Sequence, residues 1–368
     1  MKIGITLDFS IAMWSNGMQQ NIVFLYELLE RGGHDCFYIT DKDPVEGLSK
    51  QHKGMYLFDI LQDDTESFDT LIIAGFDLLP EMYDKLLSRN KDLQIVAIHY
   101  GNKMFDDMHK SLTPGHNNVS PVLPPKNISQ VWTSPHYGFA IPYLKEYYQT
   151  DQVHEAPYIW DSFFIQQEMK KLNKKGLDPR FRQEDIAKIC VFEPNKTLSK
   201  NCLLPLATCS RVETLFPGTI ESVNVYCTQG LRKNEFFKIL ANTFPIVGNK
   251  KHNVFFNNRW GSLDALSKHG SCILSHQINN SLNYIYFEAL YLGLPLIHNS
   301  EYLQEVGYYY VGYDIDMAAK QIKNATLNHA SVLDNYIGDA KNFLHKFSPY
   351  NSDNIFRYND LLNNGKSK

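Results

Sequence analysis

Short apolar runs alternate along the chain with longer stretches whose apolar residues recur at helical spacing. The first pattern is that of buried strands and the second that of amphipathic helices. Residues 2–7 read as a strand. Residues 21–31 read as a helix, with Ile22, Leu25, Leu28 and Leu29 on one face and Gly32-Gly33 ending it. Strands follow at 36–40, 70–74, 94–98 and 131–134, then a helix over 139–148. Strands alternating with helices predict a parallel sheet covered on both faces.

The rhythm breaks between Asp161 and Asp185, where the chain turns polar and basic and reads as a linker. It then restarts, with strands at 189–192, 222–227, 253–256, 272–275 and 295–298. Helices fall between them near 201–212, 234–242, 262–268 and 284–292. The tail carries helical stretches over 332–347 and 354–362. This predicts an α/β protein of two Rossmann-like domains facing across a cleft. The domains are 1–165 and 166–368, with the terminal helix able to pack back on the first. Ligands of open parallel sheets bind at the carboxyl ends of the strands, so the cleft is where chemistry is expected.

A length of 368 residues suits about two domains. Twenty-two Tyr, 22 Phe and 4 Trp exceed what a core needs, and part of them is expected to line the cleft. Lys and Arg number 36 against 40 Asp and Glu, a formal charge of −4, which argues against a broad nucleic-acid surface. A local basic stretch does exist at Lys170, Lys171, Lys174, Lys175, Arg180 and Arg182, and a solvated linker explains it first. The six cysteines show no C-x-x-C spacing, so neither a metal site nor a redox motif is predicted. The start lacks a signal-peptide core and no apolar run is long enough to span a bilayer. A reduced, cytoplasmic protein is expected.

Candidate chemistry clusters after the strands. In the first βα connection Asn16-Gly17 permits a tight bend, and the following helix offers N–H groups to an anion. Trp14 there is suited to stacking on a ligand; an ordinary loop is the competing reading. His99 ends a strand and is placed to act as a general base or to hold a hydroxyl, unless it simply bonds a loop carbonyl. Ser134-Pro135-His136 ends the next strand in the same way, and Asp161 either bonds a ligand or caps the linker. In the second half Glu193, Asn195, Lys200 and Asn201 gather after a strand. Lys200 beside a helix start suits a diphosphate; a solvated loop is the alternative.

The most informative stretch runs from Ser275 to Ser300. A polar loop with Asn279, Asn280, Asn283 and Tyr284 opens a helix that carries Glu288, and Gly293 and Pro295 turn the chain into a strand. A carboxylate there can accept two ribose hydroxyls while the loop faces phosphate. The competing reading is an exposed Glu on an amphipathic helix. For the aromatic run Tyr308–Tyr310, core packing competes with ligand stacking.

The segment FEALYLGLPLI resembles the donor-site signature of GT-B glycosyltransferases, and the opening SNG followed by a helix ending GGHD is similar to their N-terminal pattern. More closely, WSNGMQQN, VFEPN, LNYIYFEAL, PLIHNS and GYYY together resemble a bacterial and phage family long catalogued as a domain of unknown function and regarded as GT-B-like. The likeness covers about residues 3 to 315. It implies a nucleoside-diphosphate sugar as co-substrate, with no bound cofactor and no metal. Glu288 would hold the donor's ribose or sugar, Asn195 and Lys200 would lie near the diphosphate, and Asn283 and Tyr284 near the nucleotide. Asn16, Gly17 and Ser275 complete the expected donor set. One departure stands out: Asn280 occupies the position of the signature's first acidic residue.

The function this implies is transfer of a sugar to an acceptor hydroxyl, with His99 or Asp8 as base. The acceptor would be a glycan, or a hydroxymethylated pyrimidine in phage DNA reached by base flipping, which would put the enzyme in a host cytoplasm. The alternative is an inactive module that binds nucleotide sugars or glycans. A sugar-nucleotide epimerase is a third reading, which fits the Glu288 helix less well.

Overall fold

Apolar runs that are buried on both faces make parallel strands, and the polar turns between them send the chain over the sheet as helices. The computed structural model describes residues 1–10, 13, 17–42, 52–112, 127–183, 188–249, 253–270 and 272–364. The chain divides into two compact units, Met1–Asp161 with Phe347–Lys368, and Ser162–Lys346. The sequence reading divides the chain at 165/166 and lets the terminal helix pack back on the first domain.

The first unit begins with β1 (Lys2–Thr6), α1 (Gly17–Arg31), β2 (Asp35–Thr40), β3 (Gly54–Tyr56) and α2 (Leu57–Gln62). It continues with β4 (Thr70–Ile73), α3 (Pro80–Arg89), β5 (Gln94–His99) and α4 (Lys103–Leu112). Then come β6 (Gln130–Thr133), a 3₁₀ turn (Pro135–Ala140), α5 (Ile141–Tyr148) and β7 (Val153–Glu155). The sheet order is β3-β2-β1-β4-β5-β6-β7, with every pairing parallel.

The second unit holds α6 (Phe163–Asn173), β8 (Lys188–Val191), α7 (Leu203–Leu215), β9 (Ser222–Val225), α8 (Glu235–Asn242) and α9 (Pro245–Gly248). It goes on through β10 (Asn253–Phe256), α10 (Ser262–His269), β11 (Cys272–Leu274), α11 (Tyr284–Tyr291), β12 (Leu296–His298), β13 (Tyr308–Tyr309) and α12 (Ile315–His345). Its sheet runs β10-β9-β8-β11-β12-β13, again parallel. Both sheets share the Rossmann order, in which the first strand lies beside the fourth. Fold class is therefore as the sequence predicts: α/β, GT-B-like, with two Rossmann-like domains.

A last helix, α13 (Ser352–Asn364), belongs to the first unit and packs on α1. This explains why α1 is buried nearly all round, from Ile22 to Leu29. Its interior contacts are satisfied. Gln130 Nε2 donates to Leu361 O (2.9 Å), Tyr358 OH to Pro157 O (2.8 Å), and His34 Nε2 lies 2.8 Å from Asn359 Oδ1. Each large apolar side chain buried this way contributes roughly 1.5–3 kcal/mol.

Two sequence expectations need correcting. The stretch from Asp161 to Asp185 contains α6, which packs against α10 and buries Phe164, Ile165 and Leu172. Its lysines mask these apolar residues in the sequence. The expected tail helix over 332–347 is the second half of the much longer α12. Asp314 caps it by accepting from Met317 N–H, and its first half buries Ala318, Ala319 and Ala325 against α7. Alanines allow close helix approach but give little hydropathic signal.

Candidate functional site

In the second sheet the chain reverses direction of travel between β8 and β11, and the loops that leave those strands diverge. In open sheets of this order such divergence leaves a crevice at the carboxyl edge, the place where ligands of this architecture bind. Glu193 follows β8 and Ser275 follows β11, and the two meet there. Ser275 Oγ donates to Glu193 Oε1 and lies 2.9 Å from Tyr286 OH on α11. Tyr310 OH donates to Ser275 O (3.1 Å) and sits 3.0 Å from His276 Nδ1. Burial pushes the Glu193 carboxyl up to about 7, opposed by Ser275, by the charge of Lys200 and by the His276 N–H. Burial lowers the Lys200 ammonium, opposed by Glu193. Burial also takes His276 down to about 4, so its ring is neutral at pH 7.

Asn195 shapes the loop that carries Lys200. It sits at φ +56°, a left-handed conformation that asparagine tolerates. Its Nδ2 donates to Glu193 O (2.8 Å) and Tyr226 O (3.1 Å), and its Oδ1 accepts from Cys202 N–H (2.8 Å). The side chain therefore builds the loop. Asn201 Oδ1 accepts from Leu203 N–H (3.1 Å), and Pro205 has no N–H. The start of α7 thus offers an anion fewer N–H donors than the sequence suggests. Ile278 N–H donates to Ser199 O (2.9 Å), pinning this loop to the one after β11.

The loop after β11 is itself held by the loop after β12. Gln277 N–H donates to Asn299 Oδ1 (2.9 Å), Asn299 Nδ2 to Gln277 O (2.8 Å), and Ser300 Oγ to Ser281 O (2.5 Å). Asn280 is buried, its N–H donating to Gln277 Oε1 (2.5 Å). Asn283 is the N-cap of α11 but makes no side-chain cap bond, unlike Asn234, which accepts from Phe237 N–H at the start of α8. The N-terminal end of α11 thus carries the positive end of the helix dipole without a side-chain cap from Asn283.

Glu288 lies one turn further along α11. Ser262, the first residue of α10, donates its hydroxyl to Glu288 Oε2 at 2.5 Å. Burial pushes this carboxyl up to about 7, with Ser262 opposing. Beside Ser262, Trp260 stands 40% exposed, 6.3 Å from the Tyr226 ring, which stacks on Phe192 at 4.8 Å. Loops from β8, β9 and β10 thus build an aromatic shelf next to the carboxylate. Sequence reasoning singles out neither Ser262, Tyr226 nor Trp260. The polar run NNRWGS directly after the strand over 253–256 carried the signal.

The remaining expected residues lie in the first unit. Its own switch point falls between β1 and β4, where Asp8 follows β1. Asp8 Oδ1 accepts from Ser10 N–H (2.8 Å) and Ser10 Oγ (2.6 Å). Burial works against ionisation, yet these two bonds hold the carboxyl below its usual range. Such a carboxylate is a weak base. His99 ends β5 with Nε2 2.8 Å from Tyr148 OH, and burial, aided by Lys103 and opposed by Asp107, takes it down to about 4. Gly17 opens α1. Asn16 and Trp14 lie outside the described residues. His136 is buried against Tyr137, its ring centroid 3.8 Å away.

Among the described residues no helix is long and apolar enough to cross a membrane. No curated protein matches the chain. Several solved structures share its fold. A point mutant of S. aureus TarM, crystallised with fondaparinux, alpha-GlcNAc-glycerol and UDP, has TM-score 0.51 and 12% identity. The match covers 83% of this chain and 58% of that one. The E. coli trehalose-6-phosphate protein bound with UDP-2-fluoro glucose has TM-score 0.57 and 11% identity, covering 100% and 99%. T4 phage BGT, in complex with UDP-glucose, has TM-score 0.53 and 10% identity, covering 98% and 99%. At such identities the likeness is one of fold. Residues 3–362 match the family described as Protein of unknown function (DUF2827), and the chain belongs to that family.

Proposed function

We propose that the protein transfers a sugar from a nucleoside-diphosphate sugar to an acceptor hydroxyl, with the donor held at the carboxyl edge of the second sheet. The observation that carries this reading is the pairing of Glu288 with Ser262 beside the aromatic shelf, a few residues from the uncapped start of α11. In this reading Trp260 stacks on the nucleobase and Glu288 accepts the ribose hydroxyls. Lys200 and the start of α11 face the diphosphate. The UDP and UDP-sugar ligands of TarM, the E. coli protein and T4 phage BGT support a nucleotide-sugar donor on this fold.

In the transfer, the acceptor oxygen forms a bond to the anomeric carbon while the bond from that carbon to the diphosphate breaks. Lys200 stabilises the charge that develops on the leaving group. In this reading His99, whose ring is neutral at pH 7 and whose Nε2 lies 2.8 Å from Tyr148 OH, takes the acceptor proton; Asp8, engaged by Ser10, is the alternative base. Glycan and modified-DNA acceptors both fit a hydroxyl acceptor. The glycan is favoured, because Arg180 pairs with Asp178 and Lys171 with Glu168 inside the basic stretch, which weakens it as a track for phosphates.

The test is a thermal-shift screen across nucleoside diphosphates, followed by transfer of labelled sugar to a glycan extract and to hydroxymethylated DNA. A ligand of the folded state raises its melting temperature by mass action. Stabilisation without transfer or donor hydrolysis would favour the inactive binding module, a reading that the buried Asn280 supports. No stabilisation by any nucleotide removes the proposal.

A further inference from the structure

One carboxylate oxygen at the crevice is buried without a hydrogen bond. Glu193 is 2% exposed, its Oε1 accepts from Ser275 Oγ, and its Oε2 has no hydrogen-bond partner. The cation whose charge acts on it is Lys200, carried on the same loop. The other groups that interact with it electrostatically or by hydrogen bond, among the described residues, are uncharged at neutral pH. They are Ser275 and His276 after β11, Tyr286 on α11, Tyr310 after β13, Cys202 before α7 and Cys227 after β9. A buried carboxylate oxygen in such surroundings is tolerated only beside a cation or with a proton on it. An arriving diphosphate would compete for that cation and bring further negative charge close by.

We propose, resting on the donor reading above, that Glu193 is the resting counter-ion of Lys200 and releases it to the donor's diphosphate by taking up one proton from solvent. The carboxylate becomes a carboxylic acid, Lys200 stays protonated, and no bond of the donor changes. Glu193 is thus a positioning residue that acts through Lys200. Once protonated, its Oε2 turns from an acceptor that repels phosphate into a donor that attracts it. The elevation of the Glu193 carboxyl to about 7 places this exchange in the neutral range.

The experiment is isothermal titration calorimetry of the full chain with UDP-glucose, whose diphosphate diester does not itself titrate near neutrality. At about pH 8 the wild-type binding heat should differ between buffers of high and low ionisation enthalpy by close to one proton taken up. Affinity should fall by up to about tenfold per pH unit above about pH 7. Glu193→Gln should bind with no proton uptake and a flat pH profile, and Glu193→Asp should restore uptake. The wild-type buffer pair decides the matter alone should either variant fail to fold. Wild-type binding without proton uptake, or uptake that persists in Glu193→Gln, overturns this inference and leaves the donor reading standing. No UDP-glucose binding by the wild type, together with no stabilisation by any nucleoside diphosphate, overturns both. Binding of a different nucleotide sugar moves the same buffer comparison to that donor, with the same outcomes deciding.

Discussion

Ser262 on α10 holds Glu288 on α11 through a 2.5 Å hydrogen bond. The hydroxyl donates, so it favours the ionised carboxyl that burial disfavours, and it fixes one oxygen; in the proposed reading the other accepts from the donor. A carboxylate aimed in advance loses less entropy on binding a diol.

Glu288→Ala should weaken binding of the donor sugar nucleotide by about tenfold or more, the scale of one or two hydrogen bonds to a charged group. Ser262→Ala should cost less, because the carboxylate remains. Titration calorimetry reads both. Equal affinities in wild type and Glu288→Ala would remove Glu288 from the site.

The raised Glu288 carboxyl has a consequence for stability. Its folded value of about 7 lies above the ordinary 4.5, so the folded state binds the extra proton between those limits. Its stabilising contribution is complete below pH 4.5 and is lost as pH rises through about 7. Glu288→Gln removes that dependence. The variant should therefore gain on the wild type between pH 5 and pH 7.5, by up to about 1.4 kcal/mol per pH unit. Urea midpoints at the two pH values test this, and a constant difference would count against it.

Asn195→Asp keeps the acceptor for Cys202 N–H but replaces the amide that donates to the Glu193 and Tyr226 carbonyls. A carboxylate facing two carbonyl oxygens should cost about 1–3 kcal/mol of folding free energy. It should also loosen the loop that carries Lys200, seen as faster amide exchange over 194–202.

Gly307 sits at φ +74°, and a Cβ there would stand 2.8 Å from His298 Nε2 and 3.0 Å from Leu296 O. His298 Nε2 is itself bonded to Val306 O at 2.9 Å, so it cannot move aside without breaking that contact. Gly307→Ala should destabilise the protein by about 1–3 kcal/mol in chemical unfolding. A change below a few tenths would show that the strand end relaxes freely.

His99→Ala should reduce transfer by about a hundredfold or more while leaving donor affinity within twofold, as expected of a base that touches only the acceptor. Steady-state transfer and calorimetry on the same preparation separate the two effects. Loss of donor binding instead would move His99 out of the base role.

The alternation of apolar runs and amphipathic stretches determined the α/β class, the parallel sheets and most element positions, because burial on both faces of a strand leaves a period that any reader of the chain can see. It also marked Glu288, whose helix runs into a Gly-x-Pro turn. It did not reveal α6 or the first half of α12, where lysines and alanines hide the buried face. Nor did it tie Ser262 to Glu288 or Ser275 to Glu193, pairs 26 and 82 residues apart. Local pattern reports what a residue's neighbours in sequence require. Strand order decides which loops share an edge, and only there do the side chains of the proposed site come within hydrogen-bond reach.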